Sequence, residues 1–442
     1  MRNSELEHVL KFKLFDKKKK ENYNRLSYIG FFLLYFAISV IRVYLVVYVP
    51  AFLLNVLTIN RSQLAFIQIF VYLVMFLGPI LGFLFDRYSK IKKIILILSS
   101  ILFLISFLFS VFNGSDIGIF GLFLALNLFA QEFIKVIVSK MIIEYSNNES
   151  VKDGNLTAIN ISSNIGSFIP SIVFLFTVNN IFSINQWNIF FFVGFLSSLP
   201  IILSVFLIKQ TPKDGRMSLE HYNNDSNSSR GLNLLNFILL FLSYLLIWSD
   251  KLYQFPFSSW ILTKFGEEGF NLYSLFYIVL ILLNIGGWII GQRISTRINN
   301  KIESSLGENL KENNLEELVN TLKESKKKKL IVLSVGIYIV LTFMMAFSNF
   351  IILMIIQGII QVVAGIMMLN YMSLMMAISN NGRYKTFKFQ CLKIAYAFSC
   401  VIFIPLGTYF SAFIQIEVLI ITVGFLAIAS LLPLAFLRTR AY

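Results

Sequence analysis

The stretch GFLFDRYSKIKK, Gly82 to Lys93, runs from apolar residues through one acid–base pair into a cluster of lysines. Before it, residues 63–85 are mostly apolar; after it, residues 94–112 are apolar again. About 20 such residues carry an α-helix across a bilayer, where the backbone must satisfy its own hydrogen bonds. The stretch therefore reads as a short turn between two membrane crossings, with Asp86 and Arg87 at the membrane edge.

The rest of the chain repeats that alternation. Of 442 residues, 57% are hydrophobic and only 14% charged, against about a quarter charged in soluble proteins. Mean hydropathy is +0.74. Twelve apolar stretches are long enough to cross: 27–49, 63–85, 94–112, 117–140, 156–178, 189–208, 234–258, 271–292, 330–348, 351–377, 389–411 and 415–436. The fold class expected is all-α integral membrane, twelve transmembrane helices in two six-helix bundles.

Charge placement orients them. The formal charge is +15, which in a soluble chain would suggest nucleic acid. With the amino terminus cytoplasmic, 32 of the 38 Lys and Arg residues fall in cytoplasmic segments, as topology alone requires. No nucleic-acid partner is needed, and the expected location is the cell membrane, multi-pass, with both termini cytoplasmic. Residues 1–25 are polar and lysine-rich, without the short apolar core of a removable leader. Cys391 and Cys400 sit nine residues apart in one apolar stretch, which offers neither a disulfide framework nor a metal site.

The domains expected are a cytoplasmic tail over 1–25, a bundle over 26–208, a polar linker over 209–233, a second bundle over 234–436 and a short tail over 437–442. Within the second bundle, residues 299–329 place leucines and isoleucines at helical spacing among charges, predicting an amphipathic helix along the inner membrane face. The halves echo each other: Gly82 corresponds to Gly287, and Pro170 to Pro405, each proline preceded by Phe-Ile.

Gly82, Asp86, Arg87 and the following lysines resemble the signature loop of the major facilitator superfamily, with Ser89 where that loop has a second glycine. The resemblance covers essentially the whole chain, and it implies a secondary transporter in which Gly82, Asp86 and Arg87 latch the two bundles. It also implies that the third, sixth, ninth and twelfth helices face lipid and the others surround a cavity. The chain largely agrees: apart from Lys140 and Glu417 at span ends, the Asp, Glu, Lys and Arg residues within spans, Arg42, Glu132, Lys135, Asp250, Lys251 and Lys393, lie on the first, fourth, seventh and eleventh. A charge at the bilayer centre costs about 2.5–3.5 kcal/mol, so such residues face a cavity or a partner.

Those six sum to a positive field, which favours an anionic solute. Arg42, a permanent cation with a planar fork of donors, is the expected anchor, helped by Lys251, Lys135 and Lys393. Gln131, Asn160, Asn164, Gln357, Gln361 and Tyr396 are the expected orienting groups. Asp250 and Glu132 are the expected proton carriers. Pairing of Glu132 with Lys135, or of Asp250 with neighbouring cations, is the plainer alternative. Arg42 with Pro50 eight residues on, and Asn160-Ile-Ser-Ser-Asn164-Ile-Gly166-Ser-Phe-Ile-Pro170, resemble the organophosphate:phosphate antiporters. That family has an arginine where this chain has Ile247.

The function expected is a secondary active transporter, symporter or antiporter, for a small organic anion, acting as a monomer in the lipid bilayer with a small-molecule substrate and no cofactor. Alternatives are a proton-coupled carrier of a neutral or zwitterionic solute, a drug exporter, or a non-transporting sensor on the same fold. No Walker-type loop or catalytic constellation points to an enzyme.

Overall fold

The computed structural model describes residues 29–49, 52–53, 56–88, 91–112, 117–145, 149–178, 183–208, 228–306, 313–379 and 384–437. The N-terminal tail and most of the 209–233 linker lie outside them. Twelve helices follow in order among the described residues. Helix α1 covers 29–49, with an ordinary apolar helix over Ile29–Val43 and a π turn over Tyr44–Tyr48. Helix α2 covers 61–87, its two α-helical parts joined by a 3-10 turn, Val74–Leu77. Then come α3 (Lys92–Phe112), α4 (Ile117–Tyr145), α5 (Glu149–Thr177) and α6 (Ile184–Leu207). The second set is α7 (Ser228–Ile247, continued by a 3-10 turn, Trp248–Asp250), α8 (Lys251–Leu306), α9 (Asn313–Ala346), α10 (Phe350–Ser379), α11 (Lys385–Phe410) and α12 (Ile416–Phe436).

Eleven of the described helices are long and apolar enough to cross a membrane, and α1 adds a shorter apolar one. Short connections start many of them. At the head of α2, Asn60 Oδ1 accepts from the Gln63 amide at 2.7 Å and Gln63 Oε1 accepts from the Asn60 amide at 3.2 Å. This reciprocal cap satisfies two backbone donors that a helix start leaves unpaired.

Helices α3, α6, α9 and α12 each turn large apolar side chains outward at helical spacing, among them Leu98 on α3, Phe206 on α6, Leu333 on α9 and Leu432 on α12. In water such faces would be interaction surfaces; in lipid they are solvent. Inside, α5 crosses α1 where a Cβ on Gly166 would stand 2.3 Å from the Phe36 carbonyl oxygen, and α11 crosses α7/α8 where one on Gly407 would stand 1.8 Å from that of Leu252. Glycine is what permits both approaches. Helix α5, fifth of its half, meets α1, and α11, fifth of its half, meets Leu252 just past the 3-10 turn that ends α7, so the internal echo extends to packing.

Two expectations change. Residues 299–306 prolong α8, and the segment from Asn313 runs unbroken into α9. Thr321, Lys323 and Lys327 are buried, so the lysine-rich head of α9 packs into the bundle instead of lying along a membrane face. The echo of Gly82 in Gly287 also fails at the level of contact. Gly82 approaches α11 in the other half, whereas Gly287 approaches Val362 of α10 in its own.

Candidate functional site

Arg42 lies on α1 just ahead of the π turn, half-buried. Its Nη2 donates to the Tyr396 hydroxyl of α11, and its guanidinium carbon is 5.5 Å from that ring's centre. Lys251, which follows the 3-10 turn of α7, reaches the same place from the second half. Its Nζ is 4.8 Å from the Trp248 ring centre and 6.0 Å from that of Tyr396. The two rings meet edge to face at 4.6 Å. Two cations from different halves thus share one aromatic pair, an arrangement that offsets part of their desolvation.

The carboxylates divide unequally. Asp250 Oδ2 is 3.7 Å from Lys251 Nζ, which also donates to Gln254 Oε1 at 2.5 Å. Asp250 Oδ1 is buried without a hydrogen-bond partner among the described residues. None of the ion pairs among the described residues includes Arg42. On α4, Lys135 Nζ donates to Glu132 Oε1 at 2.8 Å, an internal pair one turn apart. Lys393 stands within electrostatic reach of Glu132, Lys135 and Arg42, with its Nζ 5.7 Å from the Phe389 ring one turn back along α11.

The amides are mostly spent on packing. Gln131, fully buried, donates to Asn127 Oδ1 at 2.9 Å, and Asn127 donates to the Phe103 carbonyl of α3 at 2.7 Å. Asn127 therefore ties α4 to α3 and holds Gln131, whose Oε1 is buried without a hydrogen-bond partner among the described residues. Asn160 donates to the Leu156 carbonyl of its own helix. Gln357 is buried against Met345. Ser163 pairs with Ser39 of α1 at 2.5 Å, a tie between α5 and α1. Asn164 and Gln361 belong together through Asn284, which sequence reading misses. Asn164 donates to Asn284 Oδ1 at 2.9 Å, and Asn284 donates to the Gln361 carbonyl and Oε1, each at 3.1 Å. Asn284 is a lone amide in an otherwise apolar run, and that isolation is the signal that could have found it.

At the end of the bundle that holds both described chain ends, called inner here, two further ties cross between the halves. Tyr384, the residue before α11, has left-handed φ and ψ of 60° and 48° and no side-chain cap. The Phe387 amide, one of the unpaired donors of that helix start, donates instead to Asp86 Oδ2 at 3.0 Å. Asp86 Oδ1 accepts from Lys140 at 3.0 Å, and Lys140 also donates to the Phe85 carbonyl at 2.7 Å. Gly82 allows the approach: a Cβ there would stand 3.0 Å from the Phe387 Cα. Arg87 takes no part; it is exposed, 5.6 Å from the Tyr88 ring.

The second tie centres on Asp153 of α5, 1% exposed. Ser295 of α8 donates to its Oδ2 at 2.6 Å and Ser373 of α10 to its Oδ1 at 2.7 Å. Lys327 of α9 lies 3.6 Å from Oδ2 and donates to Ser373 at 2.7 Å. Sequence reading leaves Asp153 in a loop, and no motif marks it.

No family model matches this chain, and no curated protein sequence does. Among solved structures, the chain is similar to the major facilitator transporter FucP in the outward conformation, at 14% identity and TM-score 0.64, covering 94% of this chain and 98% of that one. It is similar to a single-residue variant of the E. coli fucose:proton symporter FucP at 14% identity and TM-score 0.63, with the same coverage. Those likenesses run over whole chains, and with the twelve helices and the paired halves they identify the architecture: this is a major facilitator fold.

Proposed function

We propose that the protein is a secondary transporter that works by alternating access and carries a small organic anion. The fold and its likeness to solved transporters support the first part. The second rests on Arg42. A permanent cation is half-buried at the seam between the halves, bonded to Tyr396 across it, and no carboxylate pairs with it among the described residues. A charge kept at that cost is explained by a partner that comes and goes. Arg42 anchors the anion, Lys251 assists from the other half, and Lys393 extends the positive field, while Lys135 is held by Glu132. Asn164, Gln361 and Asn284 steady the seam beside it. Asp86, backed by Gly82, latches the inner end, which the charge distribution makes cytoplasmic.

Arg42→Ala tests this in proteoliposomes. Removing one member of a buried charge pair costs about 2 kcal/mol or more, some 30-fold in affinity. Anion counterflow should fall by at least that factor while expression and melting behaviour hold.

A second reading is favoured by one observation: the unpartnered Asp250 Oδ1, with Tyr253 and Tyr338 in its field. It makes the protein a proton-coupled carrier of a neutral or zwitterionic solute. Transport that survives Arg42→Ala but not Asp250→Asn selects that reading. Absence of any saturable counterflow selects a sensor.

A further inference from the structure

Resting on the anion reading above, we propose that the solute is a monovalent anion carrying a planar aromatic body, such as an aromatic monocarboxylate. Three observations point there. The first is charge. Arg42, Lys251 and Asp250 converge on one place and leave a single net positive charge, because Asp250 sits 3.7 Å from Lys251. Glu132 and Lys135 cancel at 2.8 Å, and Lys393 stands a turn away over Phe389. A phosphate ester dianion asks for a second uncommitted cation in contact with it, and the position one turn before Lys251 is Ile247, which is buried and apolar, while Lys393 is in the field of Arg42 but stands off over the Phe389 ring.

The second observation concerns the polar groups. A sugar or polyol is recognised through several open amides and carboxylates, whereas here Asn160, Gln357 and the Asn164–Asn284–Gln361 chain already bond to protein. Among the described residues, the oxygens without a partner include Gln131 Oε1, in a fully buried side chain, and Asp250 Oδ1, next to Lys251. The third is what remains open. Trp248 and Tyr396 are partly exposed beside the cations, crossed edge to face at 4.6 Å, and Lys251 rests 4.8 Å over the Trp248 ring. A ring that takes the place of that ammonium keeps the aromatic face covered, while its carboxylate meets the displaced cation and Arg42.

The test compares benzoate with cyclohexanecarboxylate, equal in charge and close in size, by titration calorimetry on the purified full-length protein. Glycerol phosphate and fucose are run alongside. The expected result is tighter binding of benzoate by about tenfold. Trp248→Leu should erase that margin, so that benzoate and cyclohexanecarboxylate bind the variant equally. Equal binding of the two carboxylates overturns the inference, as does failure of both to bind. Preference for glycerol phosphate overturns it too and leaves the anion reading standing. Binding of fucose alone overturns both.

Discussion

Arg42 lies on the helix that opens the first half and Lys251 just past the one that opens the second, yet both lie over the Tyr396 ring. Their difference is the company they keep: Lys251 has Asp250 at 3.7 Å, and Arg42 has a phenol. Asp250 therefore competes with a bound anion for Lys251. Protonating Asp250 frees that lysine, so anion affinity should rise as pH falls, and by reciprocity a bound anion should favour the proton. The groups facing Asp250 besides Lys251 are Tyr253, Tyr338 and Cys400, uncharged when protonated, so Lys251 sets the effect. Asp250→Asn fixes the neutral state. Binding should then lose its pH dependence and match the acid limb of the wild type; one unit of coupling is about tenfold. A slope that persists in the variant assigns the proton elsewhere. Both cations were legible from sequence, because a charge in an apolar run cannot be hidden. Their aromatic partners were not, since Trp248 and Tyr396 look like ordinary helix packing until the fold crosses them.

Helices α1 and α7 each lose regular winding beside their cation, α1 in the π turn Tyr44–Tyr48 and α7 in the 3-10 turn Trp248–Asp250. Neither turn contains Gly or Pro, the residues that announce such breaks, so periodicity showed only two continuous spans. The same blindness covers α9. Its lysine-rich head reads as a surface helix, but Lys327 is 2% exposed and bonded to Ser373, a contact only tertiary packing creates. Asp153 gathers donors from α8 and α10 there, and the tie should behave as a unit. Hydrogen bonds to a charged group are worth about 1.5–3 kcal/mol. Asp153→Asn and Ser373→Ala should each lower the melting temperature in detergent, and together by less than their sum, with a coupling of about 0.5–3 kcal/mol. Strict additivity would mean that the 2.7 Å contact between them carries no energy.

At the scale of the molecule, the two acids that cross the seam come from the first half, and both act at the inner end: Asp86 on the start of α11, Asp153 on α8, α9 and α10. The partners named for one are not those of the other. Twelve spans and two halves could be read from hydropathy and basic charge, and the Gly82–Asp86 pair from its motif; the second tie could not, because its four residues come from four helices distant in sequence. If access alternates, exposing the centre from the inner end requires both ties to break, and their costs should add. The chain carries its own reporter. Cys400 of α11 is 2% exposed, packed with Tyr72 and Met75 of α2 beside Arg42 and Tyr396. A maleimide reaches it only when α2 and α11 part. With Cys391→Ser removing the other thiol, Asp86→Asn and Asp153→Asn should each speed labelling of Cys400 by about tenfold, and the double variant by about a hundredfold, since each 1.4 kcal/mol is a factor of ten in the open population. A benzoate-loaded sample tests the link to the site: an anion bridging Arg42 and Lys251 draws the halves together, so labelling should slow in the double variant. If labelling of the double variant merely equals that of the faster single variant, one tie alone holds the inner end, and the other acid serves only the packing of its own helix.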